Sequence, residues 1–430
     1  MTRAQANVRW TAPTATRPVA ETVRLPGSKS MTARALVLAA LATNPSTLSH
    51  PLRARDTELM AGGLRALGVH VSTVDDDRWV VRPHRLQGPA QIDVGLAGTV
   101  MRFLPPVAGL AEGAVTFDGD PQAHKRPLRP LIEALESIGV RLDASPTKGL
   151  PLRVDGAGRV GGGGVVIDAS ASSQLVSGLL LAAPRFERGI VVRHVGPPVP
   201  SEPHVRMTVQ MLRAAGAGVD DSSRDVWAVE PGRLSGRGWE IEPDLSGAAP
   251  FFAAALVTGG RVTLRGWPHS SAQPVDRLRA LLHEMGGEVT LSTDGLTVRG
   301  TGAVHGLDAD LSAVGELTPV LAALAALADS PSRLRGIGHI RAHETDRLAA
   351  LARELTALGT AVTETDDGLE IDPRPLGSGS FETYADHRMA HAAAVVGLAV
   401  PGIELTDVAC TAKTMPGFPA LWSAMVTGKS

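Results

Sequence analysis

The sequence predicts a two-domain protein of mixed α/β class, in which sheet and helix are layered within six copies of one unit, three in each half of the chain. Two recurrences carry this reading. Polar clusters that open Ala/Leu-rich runs stand at Lys29, Gly98, Ser172, Ser246, Glu316 and Asp386, at intervals of 69, 74, 74, 70 and 70 residues. A second phrase, a short alternating strand and a turn followed by a helix ending in glycine, interleaves with the first as 57–68, 128–139, 205–216, 275–286 and 346–359. A period of about 70 residues is too long for a solenoid and long enough for two helices and several strands. Alternating segments such as Gly189–Val195 between the apolar helical runs argue that each sheet packs on helices.

The chain opens with a strand-like lead over 9–23, and the first unit follows at Leu25-Pro26-Gly27-Ser28-Lys29-Ser30-Met31-Thr32-Ala33-Arg34. Pro26 and Gly27 break what precedes, Ser28 or Ser30 caps the free N–H groups of the new helix, and Lys29 and Arg34 add full charges to its positive end. The stretch therefore has the chemistry of an anion site. Gly95-Leu96-Ala97-Gly98-Thr99 and Ser170-Ala171-Ser172-Ser173-Gln174 open the second and third units. The midpoint falls at Glu242-Pro243-Asp244, which sets one domain over 25–243 and the other over 1–24 plus 244–430. Leu245-Ser246-Gly247, Gly315-Glu316-Leu317 and Ala385-Asp386-His387-Arg388 open the last three units. Capping alone would not need Lys, Arg and Glu at corresponding places.

With 430 residues, 43% of them apolar, the chain can bury two sizeable cores. A net charge of −2 and 3% aromatics leave neither a basic field nor stacking platforms, so no nucleic-acid partner is expected. The longest apolar stretches, such as 320–328, fall far short of a membrane span, and the first twenty residues, with Arg3, Arg9 and Arg17, lack the apolar core of a signal peptide. A soluble protein is expected, and the single cysteine, Cys410, suits a reducing cytoplasm. Against this neutral background the cations gather in the motifs, at Lys29, Arg34, Arg102, Lys125, Arg126, Arg347, Arg388 and Lys413, a pattern that fits a small, multiply anionic ligand.

Six of these pieces in this order, the Leu25–Ser30 motif, Ala97-Gly98-Thr99-Val100-Met101-Arg102, the Asp118–Pro127 loop, Ser172-Ser173-Gln174, Glu344-Thr345-Asp346-Arg347 and Asp386-His387-Arg388, resemble the 5-enolpyruvylshikimate-3-phosphate synthase family. The likeness runs as far as Lys413-Thr414-Met415-Pro416. It implies an inside-out α/β barrel in each of two domains, each of three βαβαββ units, that closes on substrate. The implied reaction moves the enolpyruvyl group of phosphoenolpyruvate to the 5-hydroxyl of shikimate 3-phosphate and releases phosphate. It needs no cofactor and no metal, and the implied enzyme is a cytoplasmic monomer.

By resemblance Lys29, Ser30 and Arg34 hold shikimate 3-phosphate, Ser172, Ser173 and Ser201 bind its phosphate, and Gln174 lies between the two ligands. Arg126, Arg347, Arg388 and Lys413, with Lys29, form the phosphoenolpyruvate clamp, and Gly98 lets that ligand approach the backbone. Both substrates carry a phosphate and a carboxylate, and arginine's planar fork pairs with either through two bonds. The reaction also delivers a proton to one carbon and removes one from a hydroxyl. Glu316 aligns with the family's base and Glu344 with its acid, and an exchange of those roles stays open. Lys29 shares the catalytic positions. Leu96, Ala33, His343 and His204 replace the family's more usual Asn, Asn, Lys and Tyr; His343 is the substitution that bears on proton transfer, because histidine is a cation only when its pKa is raised. The alternative, a UDP-N-acetylglucosamine enolpyruvyl transferase, has a reactive cysteine ahead of the second-unit arginine. The segment 111–126 has none.

Overall fold

In the computed structural model of the protein, residues 9–75 and 77–428 are described; Arg3, part of the leader argument, lies outside them. The chain forms two units, one contiguous from Gly27 to Glu242 and one split, made of the residues up to Pro26 and from Pro243 onward.

Each polar cluster opens a helix: Lys29–Leu41, Gly98–Ala108 and Ser173–Ala182 in the contiguous unit, Leu245–Thr258, Thr318–Ala326 and His387–Ala399 in the split unit. Four have a side-chain cap. Ser28, Ser172, Asp244 and Asp386 accept the N–H of Met31, Gln174, Gly247 and Arg388. In the fourth helix the cap is thus Asp244, two residues ahead of Ser246. The helices that begin at Gly98 and Thr318 have no capping side chain. All six are apolar on nearly every side, and a helix of that kind is stable only when surrounded. They form the centre of each unit, with each fully buried Leu or Val contributing about 1.5–3 kcal/mol. The backbones come close enough that a Cβ on Gly178 would stand 2.2 Å from the carbonyl oxygen of Arg102.

Sheets wrap these helices. In the contiguous unit they are four-stranded, with the second repeat as pattern: Ala90–Asp93 runs parallel to Glu112–Asp118, which is antiparallel to Leu152–Ala157, which is antiparallel to Arg141–Ala144. Parallel neighbours need a crossover, supplied by the central helix. An amphipathic second helix precedes the hairpin, and the sequence order is βαβαββ. Burial alternates along the strands, with Ile92, Val115 and Phe117 inward and Gln91, Thr116 and Asp118 outward. The second helices at 55–66, 129–137, 203–214 and 275–284 are followed by Gly68, Gly139, Gly216 and Gly286 at φ of 90–96°, which lets the chain reverse into the hairpin.

Two repeats are assembled from distant segments. Gly238–Glu240, at the end of the contiguous unit, supplies the opening strand beside Ser46–Ser49, and Ala20–Val23 does the same beside Arg261–Leu264. The contiguous unit is thus inserted into the first crossover of the split unit. The sixth repeat departs from the pattern: after Gly379–Phe381 and Ile403–Leu405 comes the helix Phe418–Thr427 instead of a hairpin, and Trp10–Thr11 pairs antiparallel to Ile403–Leu405. The lead read as one strand over 9–23 is therefore two strands in different sheets, separated where Pro13 and Pro18 deny the ladder its donors. Among the described residues no helix is long and apolar enough to cross a membrane, and no cluster of three or more His, Cys, Asp or Glu could hold a metal ion.

Candidate active site

The helix starts bring the charged residues of each unit together. In the split unit the centre is Arg347, the first residue of the helix Arg347–Leu358, at 1% exposure. Its Nε donates to Asp386 Oδ2 at 2.7 Å and Nη2 to Asp386 Oδ1 at 3.3 Å. Nη2 also donates to Glu344 Oε2 at 2.9 Å, and Nη1 to Glu316 Oε2 at 3.1 Å and His343 Nδ1 at 2.9 Å. Five donors make five bonds, so Arg347 has none left over for a ligand. Expected in the phosphoenolpyruvate clamp, it has its donors engaged by Asp386, Glu344, Glu316 and His343.

The other two cations lie nearer the surface. Lys413 Nζ is 2.5 Å from Glu344 Oε1, and Arg388 Nε is 2.5 Å from Glu316 Oε2 without being aligned for a hydrogen bond. Three cations thus face three carboxylates. Local elements explain the placement: Glu316 is in the 3₁₀ turn Gly315–Leu317, Lys413 ends the turn Ala409–Lys413, and Asp386, wholly buried, both caps its helix and grips Arg347. Burial is the largest influence on Glu316 and pushes its pKa up, but Arg388, Arg347 and His343 outweigh it and hold the carboxyl well below the usual range. Burial likewise lowers Arg347, while Asp386, Glu316 and Glu344 more than restore it and leave it above its ordinary value. His343 Nδ1 lies 2.9 Å from Arg347 Nη1 and 3.6 Å from Glu316 Oε1, so this ring stands between the buried cation and the carboxylate. The lysine usual at that place would add a fixed cation.

In the contiguous unit three side chains converge on the uncapped start of the helix Gly98–Ala108. A Cβ on Gly98 would lie 2.8 Å from Arg102 Nη1, 2.8 Å from Gln174 Oε1 and 2.9 Å from Arg126 Nη2. Arg102 Nη1 donates to Gln174 Oε1 at 3.2 Å and Nη2 to the Pro127 carbonyl at 3.0 Å, which ties the second helix start to the third. Arg126 Nη1 donates to the Leu96 carbonyl at 3.0 Å, its Nε is buried without a hydrogen bond, and no carboxylate of the described residues pairs with it. Lys29 Nζ is 3.3 Å from Asp56, which is 3% exposed.

Arg34 is turned inward, at 1% exposure. Nε donates to Thr208 Oγ1 at 2.7 Å, Nη2 to Ser177 Oγ at 3.2 Å and to the His204 carbonyl at 3.0 Å, and Nη1 to the Ser30 carbonyl at 3.0 Å, with the Phe103 ring 5.1 Å away. All these acceptors are neutral, and burial pulls its pKa down to about 9, which leaves it charged at neutral pH. Arg34 thereby joins the segments that carry Ser30, Ser172–Gln174 and Ser201. Ser172 caps its helix, Ser173 is 4% exposed, and Ser201 has φ of 49°, a left-handed conformation that a serine adopts only where its surroundings impose it.

Sequence reasoning missed what holds the cations in place: Asp56 under Lys29, Thr208 and Ser177 around Arg34, and the hold of Asp386, marked only as a helix start, on Arg347. Only the demand that a buried charge be paired or hydrogen-bonded could have signalled them. Cys410, the one cysteine, donates from Sγ to the Asp407 carbonyl at 3.1 Å, and burial pushes its thiol up to about 12, so it is no nucleophile at neutral pH.

The model of the family described as EPSP synthase (3-phosphoshikimate 1-carboxyvinyltransferase) matches residues 13–422. Among solved structures, an EPSP synthase from Acinetobacter baumannii is similar with a TM-score of 0.82 at 23% identity, covering 97% of this chain and 98% of that one. A second structure of EPSP synthase from that organism gives 0.81 at 23% identity over the same shares. The enolpyruvyl transferase NikO from Streptomyces tendae gives 0.76 at 19% identity, again over 97% and 98%. At these identities the structural likenesses establish the enolpyruvyl transferase fold.

Proposed function

The chain belongs to the EPSP synthase (3-phosphoshikimate 1-carboxyvinyltransferase) family, and from that premise we propose how its residues divide the work. The reaction transfers the enolpyruvyl group of phosphoenolpyruvate to the 5-hydroxyl of shikimate 3-phosphate, in the pathway to aromatic amino acids. Transfer to UDP-N-acetylglucosamine is not favoured.

One observation carries the division. Each carboxylate suited to move a proton is paired with a cation that a substrate anion would claim: Glu316 with Arg388, and Glu344 with Lys413. In this arrangement Glu316 is ionised and a weak base. When the phosphate or carboxylate of phosphoenolpyruvate takes over Arg388, the pull on Glu316 weakens and burial, already its largest influence, raises its pKa toward the range a general base needs. Lys413 turning to the same ligand frees Glu344 to hold the proton bound for C3. Substrate binding thus switches on the acid and the base. Arg347 keeps both carboxylates in place from below, and His343 stands beside Arg347 and Glu316.

Arg126, Gln174 and Lys29 bind the phosphoenolpyruvate anion, which can come close to the helix start at Gly98. Ser30, Ser172, Ser173 and Ser201 hold shikimate 3-phosphate. Arg34 acts on that substrate through a charge that none of its neutral acceptors offsets. In this reading side chains and helix ends supply the electrostatic stabilisation, in an enzyme proposed to act as a cytoplasmic monomer. Purified protein given both substrates should release inorganic phosphate, and omission of either should abolish the release; release with UDP-N-acetylglucosamine in place of shikimate 3-phosphate would overturn the assignment.

A further inference from the structure

Glu354 stands two turns after Arg347 on the same helix, is 7% exposed, and spends both carboxylate oxygens on the loop that leads to Asp386. Oε2 accepts the backbone N–H of Glu382 at 2.9 Å, and Oε1 accepts the hydroxyl of Tyr384, the one tyrosine of the sequence, at 2.5 Å. Arg353 Nη1 donates to the same hydroxyl at 3.3 Å. The loop so held is strained. Tyr384 and Ala385 both have φ of 54°, two successive non-glycine residues in the left-handed region, directly before the residue that caps the helix His387–Ala399. Such a conformation persists only where its surroundings fix it; Thr406 Oγ1 and bonds within the loop contribute, and the side-chain bonds to Tyr384 and Asp386 come from the helix that begins with Arg347. One helix therefore holds two points of the same loop: Arg347 takes Asp386, and Glu354 takes Glu382 and Tyr384.

We propose that Glu354 and Tyr384 are positioning residues for enolpyruvyl transfer, holding the loop 382–386 so that Asp386 meets Arg347 with two contacts and Arg388 leaves its helix aimed at Glu316 and the incoming anion. The pair touches neither substrate. Its chemistry fits that role, because hydrogen bonds from a hydroxyl and an amide to a buried carboxylate are short, charge-assisted and directional, and they fix a loop more firmly than apolar packing could. The inference rests on the reading of Arg388 as a phosphoenolpyruvate cation.

The test is steady-state phosphate release by the full-length enzyme with each substrate varied in turn, alongside thermal unfolding. Tyr384→Phe removes one hydroxyl and keeps the ring; it should raise KM for phosphoenolpyruvate about tenfold, the worth of a lost bond to a charged acceptor, and leave KM for shikimate 3-phosphate within about twofold. Glu354→Gln keeps an acceptor for the Glu382 N–H and turns its amide donor to the Tyr384 oxygen, so it should fall between Tyr384→Phe and the parent, which a loop anchor unconnected with the site would not produce. A folded Tyr384→Phe enzyme with unaltered kinetics, or with both KM values raised equally, overturns the proposal. Should Tyr384→Phe fail to fold, Glu354→Gln decides by the same two constants. Arg388→Lys is the reference: no effect of that change on the phosphoenolpyruvate KM sinks the reading of Arg388, whereas a large effect beside a silent Tyr384→Phe sinks only the positioning role.

Discussion

Replacing Gly98 by alanine tests the convergence of side chains at the second helix start. The new Cβ would stand 2.8 Å from Arg102 Nη1, 2.8 Å from Gln174 Oε1 and 2.9 Å from Arg126 Nη2, where ordinary contact begins at 3.4 Å, so each tip must retreat by 0.5–0.6 Å. All three are ends of flexible side chains, and alanine is the better helix former by about 1 kcal/mol, so stability should change little. Function is less tolerant. A site must keep its geometry to within about 0.5 Å, and a displacement of 1 Å costs on the order of 100-fold, so this retreat is expected to raise KM for phosphoenolpyruvate about tenfold. KM for shikimate 3-phosphate should move less, because only Gln174 is shared. Gly178→Ala is the contrast: its Cβ would meet the Arg102 backbone oxygen at 2.2 Å, which cannot swing aside, and the variant should lose about 1–3 kcal/mol of stability. The assay is phosphate release with each substrate varied, with thermal unfolding in parallel. A well-folded Gly98→Ala enzyme with the parent's KM for phosphoenolpyruvate would refute the placement of that ligand at the Gly98 helix start.

Asp386→Asn leaves Arg347 with one fewer buried counter-charge and should destabilise the split unit by about 3–5 kcal/mol, read as a lower denaturation midpoint; a shift under about 1 kcal/mol would mean that Glu316 and Glu344 suffice for Arg347. Glu344→Gln keeps the shape of the side chain and should retain binding of both substrates by calorimetry while turnover falls about 100- to 10,000-fold; lost binding would make Glu344 structural instead. For Glu316, whose folded pKa lies below its ordinary value of 4.5, the ionised form stabilises the fold. That contribution is complete above the ordinary value and disappears as pH falls through the lowered one. The stability difference between the parent and Glu316→Gln should therefore be constant from pH 7 down to about 5 and shrink below that; a difference that changes between pH 7 and 5 would contradict the sign. Gly62→Ala, in the helix Arg55–Ala66, where a Cβ meets nothing within 4 Å, should raise the unfolding midpoint of the contiguous unit by roughly 2 °C without altering either KM.

The sixfold period was legible in the sequence because helix starts and stops are written in neighbouring residues. A cap such as Ser28 or Asp386 bonds to an N–H two or three positions on, and a closing glycine such as Gly139 needs its positive φ whatever lies elsewhere. Glu316 and Arg388 could be picked out for the same reason, as charged residues at those starts, whereas Glu344 and Lys413 took their roles from the family resemblance. The short first strands were harder. Gly238–Glu240 and Ala20–Val23 find their partners 191 and 241 residues away, and nothing local marks either as the opening of a repeat.

The amino-acid sequence by itself determined the repeat, the apolar central helices and the kinds of charge delivered to each helix start, since periodicity and capping act over a few residues. The tertiary structure alone decided which charges meet: Lys29 with Asp56, Arg347 with Asp386 and Lys413 with Glu344, pairs 27, 39 and 69 residues apart. It also decided that Arg347 has every donor engaged and that Arg34 points inward. Counter-ion pairing is set by distance in space and by the cost of leaving a charge unsolvated, and neither quantity is fixed until the three repeats of a unit have packed around their shared helices.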